Sequence, residues 1–447
     1  MHGFDHPIHT PAAALRFDAR AAARRVLERC DHLAEFTDEQ EQGRLTRLFL
    51  THAAASVHGV LKRWFADAGL SVRVDAAGNL IGHRRGHAAP LLEPEPDAPM
   101  TPTFLLGSHL DTVPGSGRYD GVLGVLVALA AVEALNQNPQ HRLPFHVDIL
   151  GFSEEEGVRF QTPYIGSRAV AGSLDPGLLD RKDPDGISLR AALEQFGLDP
   201  ARLPEAAYDK RHVLGYTEVH IEQGPVLDAA QKPIGVVSGI AGQSRLMMRF
   251  TGQAGHAGTV PMGQRRDALV AAAKLAVEVQ DFGKSLDGLR ATVGFFDTWP
   301  NVRNVVPGEV ACSLDVRHAL DDIRVTAVDA LLETAQRVAD EDGVTFELLD
   351  RQSQNATPVD GGLSGLLLQA AQAADHEPAE LPSGSGHDAV IMADLCPVSM
   401  LFVRQPDGDQ HYADEVVSEA DVAAAIETMA NYLLHLAQAH ADGTLAR

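Results

Sequence analysis

Residues 103–152 run as an apolar strand pattern, an apolar helix pattern and a second apolar strand pattern, and this order leaves few folds open. TFLLGSHL at 103–110 reads as a buried strand, 121–135 as a helix and 145–152 as the next strand. Strands that alternate with helices pair in parallel, so the segment predicts an α/β sheet. Two helices (21–36 and 53–68) and a strand (71–81) come before it, and the strand GYTEVHIE (215–222) closes this half. Proline-rich AAPLLEPEPDAPMTP (88–102) reads as a loop, and the charged stretch 175–211 as loop and helix.

Near residue 240 the pattern changes. Strand 245–251 alternates Leu246, Met248 and Phe250 with polar neighbours, and helix 267–279 lines up Leu269, Ala272, Ala276 and Val279. Strands follow at 290–296 and 309–317, then a helix at 323–340 and a strand at 344–350. This βαββαβ order is the ferredoxin-like plait. Afterwards the chain returns to α/β character, with a helix at 363–374, a strand at 397–404 and a long amphipathic helix opening at Ser418. The expected fold is α/β: a mixed, largely parallel-sheet domain carrying an inserted ferredoxin-like α+β domain. The first domain spans 1–239 and resumes at 354–447, with the insertion at 240–353. A length of 447 residues is itself long for one core.

Acidic side chains outnumber Lys and Arg by 61 to 37, giving a formal charge of −24, and no basic run occurs. Holding a phosphate backbone needs clustered Lys and Arg, so no nucleic-acid partner is expected. Cys30, Cys312 and Cys396 are odd in number and far apart, which suits buried thiols in a reducing compartment rather than disulfides or a CxxC metal pair. MHGFDHPIHTPAAALRF lacks the basic start and apolar run of a signal peptide. The longest apolar stretch, VLGVLVALAAVEAL, is short for a bilayer and contains Glu133, so no membrane partner and a cytoplasmic location are expected. Twenty histidines offer metal ligands in place of cysteine, and with carboxylates they suit Zn, Mn, Fe or Co.

In an open parallel sheet, sites form where strands end. The loop GSHLDTVPGSGRYDG places His109 at the end of its strand and Asp120 where the helix begins. Asp111, two positions on, lies on the same side in extended chain, so its carboxylate is placed to hold the second ring nitrogen of His109. Asp120 taken alone reads first as a helix cap and second as a ligand. The next strand ends in GFSEEEGVRF; at a surface turn the glutamates would be a solvated cluster, but here they end a buried strand. A divalent cation would neutralise them, one glutamate binding it while its neighbour takes a proton from water. GYTEVHIEQG puts Glu218, His220 and Glu222 on one face, with His220 open between a structural and a ligand role. His411 in DGDQHYADE follows strand 397–404.

Together, GSHLDTV…YDG, SEEEGVRF, HIEQGPVL, GQAGHAGTVPM…RRDA, PNVRNVVPG, LDVRH and SGSGHDA resemble the motifs of the hydantoinase/carbamoylase amidases. These are a branch of the di-metal aminoacylase- and carboxypeptidase-like hydrolases. The resemblance implies two divalent metal ions per subunit, zinc or manganese, with cobalt or nickel as alternatives. It implies that His109 and His220 each bind one ion, that Asp120 bridges them, and that Glu156 and His411 complete the ligand set. Glu155 would be the general base, with Asp111 behind His109. Gln223, Asn304, Arg317, Gly386 and His387 match the family's substrate contacts. His256 resembles the histidine that reaches a partner subunit's site and polarises the scissile carbonyl. A homodimer through the inserted domain, which would act as lid and dimer contact, follows from that. Arg317 also has a reading from its strand: Val310, Cys312, Leu314 and Val316 face one way, which leaves the arginine on the other face as a carboxylate clamp or a solvated edge residue. Where the family has Asn-Pro after its last ligand, His411 is followed by Tyr412 and Ala413.

Allantoate, N-carbamoyl-L-amino acid and β-ureidopropionate hydrolysis share these motifs, and each opens a ureido carbonyl in a small carboxylate. GRLTRLFLT…DAAGNLIG and YIGSRAVAG look most like allantoate amidohydrolases. Allantoate is therefore the expected substrate, giving ureidoglycine (or ureidoglycolate), ammonia and CO2, with the carbamoyl-amino acids second. A di-metal peptidase and a metal-free binding protein on the same fold are the other readings. Loss of Glu155 or a ligand would mark the latter, and none is missing.

Overall fold

The computed structural model describes residues 15–39, 44–87, 100–138, 140–406 and 415–445. Helix Val122–Asn136 is apolar on every side, so it has no face suited to water. From Val122 to Leu135 every residue except Glu133 is buried. It packs on strands Thr103–His109 and Val213–Ile221 and against helices Ala19–Ala34 and Glu419–Ala441.

Those strands belong to an eight-stranded sheet. Its order is Ser71–Val74, Leu80–Arg84, His146–Phe152, Thr103–His109, Val213–Ile221, Val398–Val403, Ile234–Ile240, Ala379–Ser383. The run from His146–Phe152 to Val398–Val403 is parallel throughout. Antiparallel strands Leu80–Arg84 and Ile234–Ile240 flank it. Parallel strands deliver their C-terminal ends to one edge, so the chain leaves the sheet at His109, Phe152, Ile221 and Val403 on the same side. That edge carries the site.

The chain divides into two compact units. The first holds this sheet and runs to Ser238, then Val359–Leu381, then onward from His387; the second is Gly239–Pro358 with Pro382–Gly386. The second unit's sheet has the order Phe296–Trp299, Glu309–His318, Gly242–Thr251, Thr345–Gln354, all antiparallel, with Arg290–Thr292 also on Glu309–His318. Helices Ala268–Ser285 and Asp321–Glu341 close one face, where Leu275, Val279, Leu331 and Val338 meet Leu246, Met248, Phe250, Val310, Cys312, Leu314 and Val316. With its last strand beside its first, this unit is the plait that the alternation predicts.

Two expected strands are each divided. Residues 71–81 break at Asp75, whose carboxylate accepts from the N–H groups of Ala77 and Asn79 and from Asn79 Nδ2. Ser71–Val74 and Leu80–Arg84 therefore pair antiparallel across a turn. Residues 290–296 divide into Arg290–Thr292 and Phe296–Trp299. Ile234–Ile240 and Ala379–Ser383 are strands absent from the sequence reading, masked by the glycines of IGVVSGI and the proline of AELPS. All three cysteines are buried and free. Among the described residues no helix is long and apolar enough to cross a membrane.

Candidate active site

His109 and His220 stand on adjacent strands of the first unit. Nδ1 of His109 lies 2.9 Å from the carbonyl oxygen of Asp111, and Nδ1 of His220 lies 2.9 Å from that of Ile221. A carbonyl only accepts, so each Nδ1 carries the hydrogen and each Nε2 is left to ligate. Asp120 Oδ1 lies 3.1 Å from His220 Nε2 and 3.7 Å from His109 Nε2. All three residues are buried, with donor atoms within 4.8 Å of one another. Two imidazole nitrogens and a carboxylate oxygen converging in this way fit a cation between them. Burial disfavours the imidazolium, but the hydrogen bond and charge of Asp120 outweigh it and hold His220 at about 9. Burial alone would raise Asp120, and the His220 contact instead brings it below its ordinary value.

Asp120 is not a helix cap, since the helix starts after Gly121 with no side-chain cap. Gly121 has φ +68, and a Cβ there would stand 2.5 Å from the His109 ring. Glycine thus permits the left-handed turn and leaves room for the imidazole. At Gly124 an added Cβ would meet the Val219 carbonyl oxygen at 1.9 Å, so glycine also lets the helix lie against the strand of His220.

Beyond Phe152 the chain turns through Glu154, at φ +51. The Asp111 carboxylate accepts from the N–H of Glu155 at 3.0 Å and of Glu156 at 3.1 Å. This corrects the expected role of Asp111. Its carbonyl holds the His109 ring, whereas Oδ1 is 3.8 Å from Nδ1. The carboxylate goes instead to two turn N–H groups that need acceptors in a buried place. His109, Glu155 and Glu156 form a second group with donor atoms within 4.8 Å of one another. Burial, then the charges of Glu156 and Asp388, push the Glu155 carboxyl well above its ordinary value. Burial lifts Glu156 to about 7, with His109 opposing and Asp120 adding. Glu154 rises to about 8, chiefly through burial, and its Oε1 accepts from the Phe160 N–H at 3.0 Å.

Further buried carboxylates adjoin this cluster. Glu218 takes the Ser108 hydroxyl at 3.1 Å on one oxygen and the Ala389 N–H at 2.9 Å on the other. Glu222, which the alternation puts on the same face, accepts from the N–H groups of Val226 and Leu227 and caps a turn. Asp388 is fully buried beside Ser167, and burial, then the Glu218 charge, raise it well above the usual range. Glu415 is buried, accepts from the Tyr119 N–H at 3.1 Å, and rises to about 7 through burial and the charge of Asp120. The sequence reading gives Asp388 and Glu415 no role. Their signal is position beside the motif histidines, in SGSGHDA and HYADE.

The structure also places the expected substrate contacts. His387 is buried with its ring edge-on to His220, centroids 4.6 Å apart. Burial and the neighbouring histidines push its pKa well below the ordinary value, so it is neutral. Gln223 follows the His220 strand with φ +53. In the second unit, His256 pairs with Val305 in a two-stranded ribbon, and the Ala257 N–H donates to the Asn304 carbonyl at 2.9 Å. His256 and Asn304 are exposed neighbours. Nδ1 of His256 accepts from the Gly258 N–H at 3.1 Å, which leaves its hydrogen on Nε2. Arg317, on the non-core face of its strand, gives Nε and Nη2 to Asp315 at 2.8 and 3.0 Å and Nη1 to the Gly384 carbonyl at 2.9 Å. Gly386 ends the returning segment of the second unit. His411 lies outside the described residues.

Residues 105–435 match the profile of peptidase family M20/M25/M40. An N-carbamoyl-L-amino acid amidohydrolase of Geobacillus stearothermophilus is 38% identical over 420 residues, which are 93% of this chain and 98% of that protein. A probable allantoate deiminase of Oryza sativa subsp. japonica is 38% identical, with 88% of this chain and 84% of that one covered. A solved amidase of the hydantoinase/carbamoylase family from Burkholderia multivorans superposes with a TM-score of 0.84 at 30% identity, over 95% of this chain and 98% of the other. Enzymes of the matched family are metallohydrolases, in keeping with the buried group of His109, Asp120 and His220. The chain belongs to peptidase family M20/M25/M40 and, within it, is an amidohydrolase.

Proposed function

We propose that the protein hydrolyses the ureido C–N bond of a small carboxylate, with allantoate as its substrate. The observation that carries this reading is the juxtaposition of His109, Asp120 and His220 with Glu155 and Glu156 at one sheet edge. His109 and His220 would each hold one of two divalent ions, zinc or manganese, with Asp120 between them and Glu156 and His411 completing the set. When bound, such ions acidify water and polarise a carbonyl. Glu155 is the base: its buried carboxylate has a raised proton affinity, which suits it to take the proton of the attacking water and give it to the departing nitrogen. Arg317 would meet the substrate carboxylate, its guanidinium oriented by Asp315. Gln223, Asn304 and the Gly386–His387 pair would supply the remaining contacts. His256, with its hydrogen on Nε2, is the donor that a second copy of the chain offers to the scissile carbonyl. The plait unit is accordingly the lid and dimer contact of a cytoplasmic homodimer.

The second reading, an N-carbamoyl-L-amino acid hydrolase, is favoured by the Geobacillus relative, of which 98% is matched. One assay separates the two. Purified protein loaded with manganese or zinc is offered allantoate, a panel of N-carbamoyl-L-amino acids and dipeptides, and ammonia and free amino acid are measured. Ammonia from allantoate above the carbamoyl panel supports the first reading, and the reverse order supports the second. Cleavage of dipeptides alone would overturn both.

A further inference from the structure

We propose that Glu218 is a positioning residue: its carboxylate ties the first turn after His387 to the strand that carries His220, and so sets the place of the His387 ring beside the ligand cluster. The proposal rests on the reading of that cluster as the reaction site. Glu218 is fully buried in the middle of the parallel sheet, opposite Gly107 on one neighbour and Met400 on the other. A carboxylate in such a place is costly unless both oxygens are bonded. The Ser108 hydroxyl and the Ala389 N–H meet that need, one on each oxygen.

The two bonds differ in what they control. Ser108 pairs with Gly151 and His109 with Phe152 in the parallel ladder, which holds both whether or not the hydroxyl is bonded. Asp388–Met392 is a helix of only 5 residues, and its N-cap residue, His387, makes no side-chain cap. The first N–H groups of a helix have no partner within it. Glu218 supplies that missing acceptor for Ala389 from another strand. The residue so fixed adjoins His387, whose ring lies 4.6 Å from that of His220 and 5.9 Å from that of Phe402. Just before His387 the chain comes from the other unit, at Gly386. The Ala389 bond therefore anchors the point where the backbone re-enters the first unit.

The test separates the tether from the charge. Glu218→Met keeps the volume and removes both acceptors. Glu218→Gln keeps an oxygen for the Ala389 N–H and an amide that can donate to the Ser108 hydroxyl. Ser108→Ala removes only the other bond. In the metal-loaded protein, deuterium exchange of a peptide spanning residues 386–393 should speed up in Glu218→Met and stay near wild type in the other two. KM for the best ureido acid should rise on the order of tenfold or more in Glu218→Met, with metal content unchanged, and return most of the way in Glu218→Gln. In a His387→Ala background, Glu218→Met should add less than it costs alone. Should Glu218→Met fold poorly, Glu218→Ala makes the same comparison with a smaller side chain. Equal damage from Gln and Met would overturn the tether, as would strict additivity with His387→Ala. If the wild type turns over no ureido acid, the functional reading fails, while the exchange comparison still decides the tether.

Discussion

Nε2 of His109 and Nε2 of His220 face each other across 3.4 Å, although the two residues are 111 positions apart in the chain. Neighbouring parallel strands bring them together, and a backbone carbonyl beside each ring fixes its tautomer. Ring orientation is thus set by the protein's own backbone, an arrangement that suits a metal centre.

Glu155 and Glu156 are adjacent, yet their proposed roles differ, and substitution should tell them apart. Glu155→Gln should keep its metal and lose turnover by about 10²–10⁴-fold, since an amide cannot accept the proton of water. Glu156→Ala should lose metal as well. Metal analysis beside the ammonia assay checks both, and near-normal turnover of Glu155→Gln would remove it as the base.

Gly121 should tolerate no side chain. Alanine at φ +68 costs about 1–3 kcal/mol in backbone strain, and its Cβ would displace the His109 ring. Gly121→Ala should therefore melt earlier and bind metal more weakly. Full metal occupancy with unchanged turnover would mean that the ring shifts at no consequence.

Much of this site is legible in the sequence because each side chain sits where an apolar strand stops. His109, the glutamate run and His220 follow that rule, and Asp120 gains its meaning from the loop that returns it to His109. The rest depends on neighbours that periodicity does not report. Extended-chain reasoning puts the Asp111 side chain near His109, but it does not see the unpaired N–H groups of Glu155 and Glu156 that claim the carboxylate. Similarly, Glu218 and Glu222 look equivalent along their strand, and only the helix starts beside them separate a tether from a cap. The break at Asp75 is local turn chemistry that the apolar pattern on either side of it conceals.

His58 should shape the acid side of the stability curve. It is buried edge-on to Phe196, and burial, with Lys62 and Arg47 adding, lowers it to about 4 from the ordinary value of 6.5. Between these values the unfolded chain binds a proton that the folded chain refuses, so stability falls as pH drops from about 6.5 towards 4. The loss between pH 7 and pH 5 from this group is about 2 kcal/mol. Denaturant melts of His58→Phe should show a correspondingly shallower decline over that range. An identical decline in variant and wild type would assign the acid sensitivity elsewhere.

Arg317 and Asp315 form a side-on pair that a lysine cannot reproduce. Arg317→Lys keeps the charge and loses the planar fork. Catalytic efficiency on ureido acids should fall strongly, through KM above all, while metal content stays constant. Unaltered efficiency would return Arg317 to the role of an edge residue held by Asp315.

The last prediction concerns His256, which belongs to the second unit while every described ligand candidate belongs to the first. Its Nδ1 is occupied by the Gly258 N–H, so the exposed ring offers a donor at Nε2. A donor aimed at developing negative charge is typically worth about 10²–10³ in rate, and His256→Ala should lose about that much. His256→Gln, which can place an amide N–H near the Nε2 position, should recover part of it. If the donor acts in a second copy, two inactive variants should complement each other. A heterodimer of His256→Ala with Glu155→Gln has one site with both defects and one with neither. Mixed and re-equilibrated variants should then regain up to about half of wild-type activity per heterodimer, provided that the sites are independent. Native mass spectrometry of the mixture shows whether heterodimers have formed. A mixture that contains them and stays inactive would place His256 in its own subunit's chemistry, or in none.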